Sequence, residues 1–472
     1  MARLRWAPSS SPWPCRPGWR PPVGAGASSW WLPGSPQWCW SATRATSVAW
    51  CPARNRDSDD DCPRPSGSVH PVIPLEEARA HVLGRCPAPV ADDVTLAEAR
   101  GLVLAGPVAS PEDVPPFANT AMDGFAVRAA DTVGAPVELV VVGTVAAGVD
   151  PVAAGVSVAA GTAARIMTGA PMPPGADAVV MVERTERVGD DRVRVDLEVS
   201  PGNHVRHPGE DLAAGDEAFG VGTVLGPGHL GVLASIGVER VPAWRRLRVG
   251  VASTGDELRE GAEPLARGQI RDANRPSLLG LLAEMGVEPV DLGRVPDDEA
   301  PIERVLVDGV ASCDALLTSG GVSMGDFDYV KVVLDRIGDM RWMQVAIKPA
   351  KPLAFGLVDG VPVFGLPGNP VSSMVSFELF ARPALRAMGG HAELDRRRVR
   401  AVVDGGLDRH PDGKVHFARV RVATVDGRFR VASAGGQGSH QLTAMAAADG
   451  LAVLPDGVGV PDGGEVDVLL LD

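Results

Sequence analysis

At 472 residues the chain is long enough for two to four domains, each with its own core, and 45% hydrophobic against 22% charged residues is the balance of an ordinary soluble globular protein. A net charge of −14 argues against a general nucleic-acid binder, which needs a basic face, so any anionic ligand has to be met by a local basic cluster. No run of about 18 charge-free apolar residues is present, so no membrane span is expected.

The first 56 residues hold eight of the ten tryptophans, seven arginines and no acidic residue. Prolines interrupt every apolar run there, which argues against a signal peptide. Residues 1–69 read best as a disordered extension, with a targeting segment or a binding arm as alternatives; without them the body is more acidic still. Four of the six cysteines lie in the first 62 residues. Cys86 and Cys313 alone remain, too few for a disulfide framework and in keeping with a reducing, cytoplasmic setting.

Ordered sequence begins near Pro71, with a helical pattern opening at 73–78 and a second short helix at 96–104. From 107 to about 241, valine-rich runs alternate with Gly and Pro turns, the texture of a β-rich domain. From about 246 to 390 the pattern becomes strand–loop–helix: strands at 247–252, 288–292, 314–318 and 361–366, and helices at 276–285, 299–308 and 371–388. That alternation predicts an open, mainly parallel α/β sheet. Short strands return at 399–403, 415–423, 429–431, 451–454 and 466–471, fitting a small barrel or sandwich.

Three polar loops follow three of the α/β strands: STGDE (253–257), SGGVSMGDFD (319–328) and LPGNPVSS (366–373). In an open parallel sheet the loops leaving the carboxyl ends of strands converge on one crevice. Glycines there let backbone N–H groups approach an anion, and the last two loops run into helices. Any one such loop is more often a plain connector; three in one domain, carrying Glu257 and Asp328, point to an anion and metal site. Asp297 joins them after another strand, although helix N-terminal charge accounts for it equally well. Two or three carboxylates beside bound phosphate suit Mg²⁺.

The segment Lys348-Pro349-Ala350-Lys351-Pro352 stands apart. The chain has 41 arginines and four lysines (Lys331, Lys348, Lys351 and Lys414), and three of the four fall between residues 329 and 351. A sequence that otherwise uses arginine needs the compact ammonium here. Both lysines precede proline, which predicts polyproline II, with i and i+3 on one face. Two ammonium groups side by side want an anion: at an effective dielectric near 20, a charge about 4 Å away contributes on the order of 4 kcal/mol before desolvation.

Eight strings then carry a likeness: PPFANTAMDGFAVRAAD (115–131), RIMTGAPMPPGADAVV (165–180), GED (209–211), STGDEL (253–258), SGGVSMGDFDYVK (319–331), KPAKP (348–352), LPGNPVSS (366–373) and QGSH (437–440). In this order they resemble the MoeA-type molybdopterin molybdenumtransferases and the E domain of gephyrin, over residues 70–472. The resemblance implies an elongated helical segment (70–110 with 220–246), an inserted β-rich domain (111–219), an α/β molybdopterin-binding domain (247–395) and a C-terminal β-domain (396–472). It implies molybdenum cofactor biosynthesis: transfer of molybdate to adenylylated molybdopterin with release of AMP. By the same likeness Asp328, Glu257 and Asp297 would hold Mg²⁺ and the nucleotide phosphates, while Gly320, Gly321, Ser323 and Gly325 would cradle the pyrophosphate. Lys348 and Lys351, with Ser372, Arg419 and Ser439, would hold the molybdate oxyanion, and Pro367, Gly368 and Asn369 would complete the pterin-binding turn. Asp123, Thr168 and Asp211 would act from the β-rich domain of the partner chain in a homodimer; the upstream adenylyltransferase and molybdoenzyme apoproteins would be further partners. Three positions depart from the family pattern: Ala118 for a frequent acid, Gln344 for a base, and Ala350 for a common glycine, the last expected to tighten the loop and favour the polyproline form. The rival readings are the adenylyltransferase of the preceding step, which would not need the flanking β-domains, and a non-catalytic pterin-binding or scaffold paralogue.

Overall fold

The structure, a computed structural model, describes residues 71–321 and 329–471. The expectations for residues 1–69, and for Ser323, Gly325 and Asp328, fall outside the described residues.

Strand β1 (Val72–Ile73) leads through Pro74 into α1 (Leu75–Leu83), which buries Ala78 and Val82, four residues apart on one face. Strand β2 (Ala91–Thr95) turns into α2 (Leu96–Ala99), whose start is fixed by the Glu98 carboxylate accepting from the Thr95 N–H at 3.1 Å and its hydroxyl at 2.6 Å. The helix expected over 96–104 is therefore much shorter. Arg100 leaves helical geometry and Gly101 takes φ 80. Val103 and Leu104 instead bridge to Val224 and Ala243, placing Leu104 in a core with Leu225 and Val241 that a continued helix would deny it.

The β-rich domain is built on β3 (Gly124–Val127), β4 (Val137–Val145), β5 (Thr162–Ile166), β6 (Ala178–Met181), β7 (Thr185–Val188) and β8 (Arg192–Val195). They form one sheet in the order β6-β3-β5-β4-β8-β7, with the only parallel pairing, among the described residues of that sheet, between β4 and β5. Helix α3 (Pro227–Ser235) and strand β9 (Arg240–Trp244), paired with β2, return the chain to its starting region.

The α/β part runs β10 (Arg248–Thr254), α4 (Asn274–Glu284), β11 (Glu288–Val295), α5 (Glu299–Ser312), β12 (Ala315–Ser319), α6 (Tyr329–Ile337), β13 (Asp339–Val345), β14 (Ile347–Lys348), β15 (Pro352–Val358) and β16 (Val361–Leu366). The seven-stranded sheet has the order β1-β13-β15-β16-β12-β10-β11. All neighbours are parallel except those of β15, which is antiparallel to both β13 and β16. Central strands are buried along nearly all their length; every residue of β12 is buried, as helices on both faces require. The helix expected at 371–388 is continuous but not uniform: α7 (Pro370–Ser376) and α8 (Arg382–Met388) flank a π-helical turn, Phe377–Ala381. That turn buries Glu378, which accepts two hydrogen bonds from Arg396 at 3.0 Å each.

At the C-terminal end, β17 (Arg398–Val403), β18 (Val415–Val425), β19 (Arg428–Ser433), β20 (Gly450–Leu454) and β21 (Glu465–Leu470) pair in a ring, β18-β19-β17-β21-β20 and back to β18. Of the two options open from sequence, this is the barrel. Strand β14 adds to its outside, pairing with β18.

A pH-dependent element lies just after α8. His391 follows the turn in which Gly390 packs against Trp244, its ring Nδ1 is buried without a partner among the described residues, and burial, then the charges of Arg386 and Arg382, push its pKa from 6.5 to about 4. Above pH 6.5 the ring is neutral folded or unfolded. As pH falls below that value the unfolded chain takes up the proton first, so stability is lost until about pH 4. A shift of this size corresponds to about 3 kcal/mol at most. Urea titrations between pH 7 and 4 should therefore show a steeper loss for the wild type than for His391→Gln; parallel curves would remove the histidine as the cause.

Candidate functional site

Register fixes which loops share a rim. Ser253 pairs with Ser319 and with Arg294, and Ser319 with Leu366, so β10, β11, β12 and β16 end together. Reversed strand β15 begins beside that end, since Ala354 pairs with Gly365. The loop 346–351, which joins β13 to β15, is thereby delivered to the same rim as the three glycine-bearing loops. Gly320 donates to the Leu366 carbonyl at 3.2 Å and has φ 96; a Cβ there would come within 2.8 Å of the Thr254 carbonyl oxygen. A side chain cannot be accommodated where these strand ends meet. Gly321 has φ 68, Pro367 is buried, and Gly368 and Asn369 are exposed beyond it.

Asn274, at the start of α4, was not signalled by any motif. Its Nδ2 donates to Ser319 Oγ at 2.6 Å and to the Gly368 carbonyl at 2.7 Å. Beside it, Asp272 accepts from Ser253 and from the N–H groups of Asn274 and Arg275, and Arg275 pairs with Asp291 of β11. An asparagine opening a helix reads in sequence as a cap; only the fold shows that it faces two other strand ends.

The carboxylates at the β10 and β11 ends do come together. The Asp297 N–H donates to Asp256 Oδ1 at 3.2 Å, and Asp297 Oδ2 accepts from the Asp256 N–H at 3.3 Å. Burial, and then the charges of Asp256 and Glu257, raise the Asp297 carboxyl above its ordinary range, opposed by the Asp256 N–H. Asp256 was not among the expected ligands. Among the described residues no group of three or more His, Cys, Asp or Glu side chains is arranged to hold a metal ion, and Asp328 lies outside them. Crowded, mutually repelling carboxylates are nonetheless a donor set that suits a hard divalent cation.

Lys348 and Lys351 are both exposed, and neither lies within ion-pair distance of a carboxylate among the described residues, whereas Lys414 pairs with Asp412 at 3.1 Å. The polyproline geometry expected between them is overturned: Ala350 has φ 75, in the left-handed region. The reason lies in the loop's closure, because the Lys351 carbonyl must return to accept from the Val345 N–H at 2.7 Å while Ile347 and Lys348 pair outward with Val415 and His416. An extended segment cannot do both. Ala350 thus does not favour the polyproline form; it stands, 3% exposed, where glycine would be at ease. His416, across the ladder from Lys348, is pushed to lower pKa by burial and by the charges of Arg409 and Lys348, against the hydrogen bond to Asp412.

Arg419 lies three residues further along β18. Its side chain is fully buried. Nη2 donates to the carbonyls of Gly436 at 2.7 Å and Gly438 at 3.2 Å, while Nε and Nη1 are buried with no partner among the described residues. Burial lowers its pKa. The same 436–439 segment reaches the start of α7, where the Val371 N–H donates to the Ser439 carbonyl at 3.2 Å, next to buried Ser372. Arg419, Ser439 and Ser372 are thus neighbours around the turn 367–369.

Asp123 and Thr168 are also together, but elsewhere. The Thr168 N–H and hydroxyl donate to Asp123 Oδ1 at 2.7 and 2.9 Å. These bonds, backbone first, hold the Asp123 carboxyl below its usual range. Both are exposed at the β3 and β5 ends of the β-rich sheet. Asp211 is exposed on a separate turn, its N–H donating to the Val114 carbonyl at 2.9 Å. Among the described residues no hydrogen bond or ion pair joins these three to the crevice.

Comparison with known proteins covers nearly all of the described chain. Residues 73–237 match the MoeA N-terminal region (domain I and II), residues 250–387 the family described as "Probable molybdopterin binding domain", and residues 407–471 the MoeA C-terminal region (domain IV). The chain is 36% identical over 396 residues to the molybdopterin molybdenumtransferase of Haemophilus influenzae, covering 84% of this chain and 97% of that one. It is 40% identical over 381 residues to molybdopterin molybdenumtransferase 2 of Mycobacterium tuberculosis, covering 77% and 91%. The crystal structure of the molybdopterin biosynthesis MoeA protein from Pyrococcus horikosii superposes with a TM-score of 0.69 at 32% identity, over 85% of this chain and 100% of that one. With its strand-end crevice and flanking β-domains in the family's order, the chain belongs to the MoeA family of molybdopterin molybdenumtransferases.

Proposed function

We propose that this chain inserts molybdate into adenylylated molybdopterin, releasing AMP and the molybdenum cofactor, in a Mg²⁺-dependent reaction. The observation that carries the reading is the shared rim: the Gly320–Gly321 turn, the 367–369 turn, the acidic pair Asp256–Asp297 and the lysine loop all lie at one end of the sheet. Family membership supports the reaction.

In this reading Glu257 and Asp297, with Asp328, hold Mg²⁺. Bound there, the cation offsets the charge of the pyrophosphate and of the departing phosphate. The backbone of Gly320 and Gly321 receives phosphate oxygens. Lys348 and Lys351 attract the tetrahedral dianion, and Ser372, Ser439 and the two unpartnered nitrogens of Arg419 supply donors around it. Much of the rate gain then comes from holding molybdate beside the dithiolate as the phosphate leaves, with no protein nucleophile. Asp123, Thr168 and Asp211 serve the crevice of a second copy, which makes the enzyme a homodimer. Among the described residues no helix is long and apolar enough to cross a membrane, and a cytoplasmic location goes with this proposal.

The test is direct. Purified full-length chain supplied with adenylylated molybdopterin, Mg²⁺ and molybdate should release AMP, with release depending on both the cation and the oxyanion. AMP release that ignores molybdate, or none at all, would exclude the reaction.

A further inference from the structure

We propose that Asn274 is a positioning residue for the adenylylated substrate, its carboxamide locking the phosphate-facing end of β12 to the turn after β16. The inference rests on the function proposed above and adds a residue to that site.

Four parallel strands must end in fixed relation if their loops are to form one crevice. Side chains from 272–275 join all four. Asp272 holds Ser253 at the end of β10, and Arg275 holds Asp291 of β11. Asn274 spans Ser319 of β12 and the Gly368 carbonyl, at 2.6 and 2.7 Å. Of these, only the Asn274 bonds reach both loops that face the anionic substrate. The orientation of the amide is not arbitrary: the Gly368 carbonyl can only accept, so the NH₂ must face it, and Ser319 Oγ then accepts the second hydrogen. Asn274 Oδ1 is left buried with no partner among the described residues. An amide that tolerates an unsatisfied acceptor in order to spend both hydrogens on two loops serves their spacing rather than its own burial.

Among the described residues the backbone makes a single hydrogen bond between the two turns. Gly320 donates to Leu366 and Gly368 approaches the Gly320 Cα, where an added Cβ would lie 3.9 Å away. Between two turns this close, the Asn274 amide adds to the Gly320–Leu366 bond a tie that bears on the Gly368 carbonyl itself. Losing it lets the Gly320–Gly321 turn drift from the 367–369 turn. A shift of about 1 Å in a positioning group is enough to cost binding and rate. The lysine loop is anchored separately, through Val345 and β18, and Arg419 sits in β18 itself, so molybdate capture shares only the 367–369 turn with this tie and is disturbed less than pterin binding.

The experiment uses full-length wild type, Asn274→Ala and the isosteric Asn274→Asp, which keeps the volume and loses both hydrogens. For each, the KM for adenylylated molybdopterin, the half-saturating molybdate concentration, the affinity for AMP alone by calorimetry and the melting temperature are measured. Both variants should raise the pterin KM and weaken AMP binding about tenfold, equivalent to about 1.4 kcal/mol. Molybdate half-saturation should change by clearly less than the pterin KM, since the lysine loop and Arg419 are held apart from the tie. Asn274→Asp behaving as wild type would overturn the proposal, because volume alone would then suffice. So would a variant that melts early and loses both substrates in equal measure, which would make Asn274 a general stabilising residue. An inactive wild type refutes the reaction itself; an active wild type with unaffected variants refutes only the part given to Asn274.

Discussion

The double replacement Lys348→Ala, Lys351→Ala is expected to reduce molybdate-dependent AMP release by about a thousandfold while leaving adenylylated molybdopterin bound. Each ammonium making a charge-assisted bond to the oxyanion is worth about 2 kcal/mol, and two such losses amount to about three powers of ten in rate. Both side chains are exposed and unpaired among the described residues, so their removal leaves no buried charge behind and the fold should melt unchanged. The measurement is AMP release against molybdate concentration, with pterin binding followed separately. A double variant with the wild-type molybdate curve would remove the lysines from the oxyanion site.

Arg419 predicts the opposite coupling of stability and activity. A fully buried guanidinium with two unpartnered nitrogens is costly to the fold. Replacing a buried charge by an apolar side chain of similar volume is often neutral or stabilising. Arg419→Met should therefore melt at or above the wild-type temperature, yet lose about a hundredfold or more in turnover, the usual effect of deleting a preorganised donor. Calorimetry and AMP release on the same preparations decide it. Loss of stability together with activity would mean that the Gly436 and Gly438 carbonyls, rather than a substrate, are what Arg419 serves.

The α/β sheet was legible because its strands are short apolar runs closed by glycine: 361–366 was read with the boundaries observed, and Ala315–Ser319 and Glu288–Val295 differ from their readings by a few residues at the ends. The β13–β15 hairpin was not read. Asp339–Val345 mixes charged, aromatic and apolar residues because it lies beside the two-residue β1 near the sheet's edge, so neither a period of two nor a continuous apolar run appears. The same blindness explains the error at Ala350. Proline restricts the residue before it, which suggests extended backbone, but here the demand to close a hairpin and also join a barrel strand overrides that local preference. Arg419 entered only through family likeness. An arginine in a strand ordinarily reads as a solvated face, and nothing local says that the barrel wall and the 436–439 segment enclose it completely. Asn274 is the same case in miniature, a residue whose partners are 45 and 94 positions away.

Ile347 and Lys348 belong to two pieces of architecture at once: the turn that links two sheet strands, and the outermost rung added to the barrel. The barrel is therefore the second mooring of the lysine loop, and any displacement of it would tug Lys348 away from Lys351, whose carbonyl stays fastened to Val345. Spacing between the two cations is set across the seam between sheet and barrel, so the C-terminal region bears on the oxyanion site through the position of Lys348 as well as through Arg419 and Ser439.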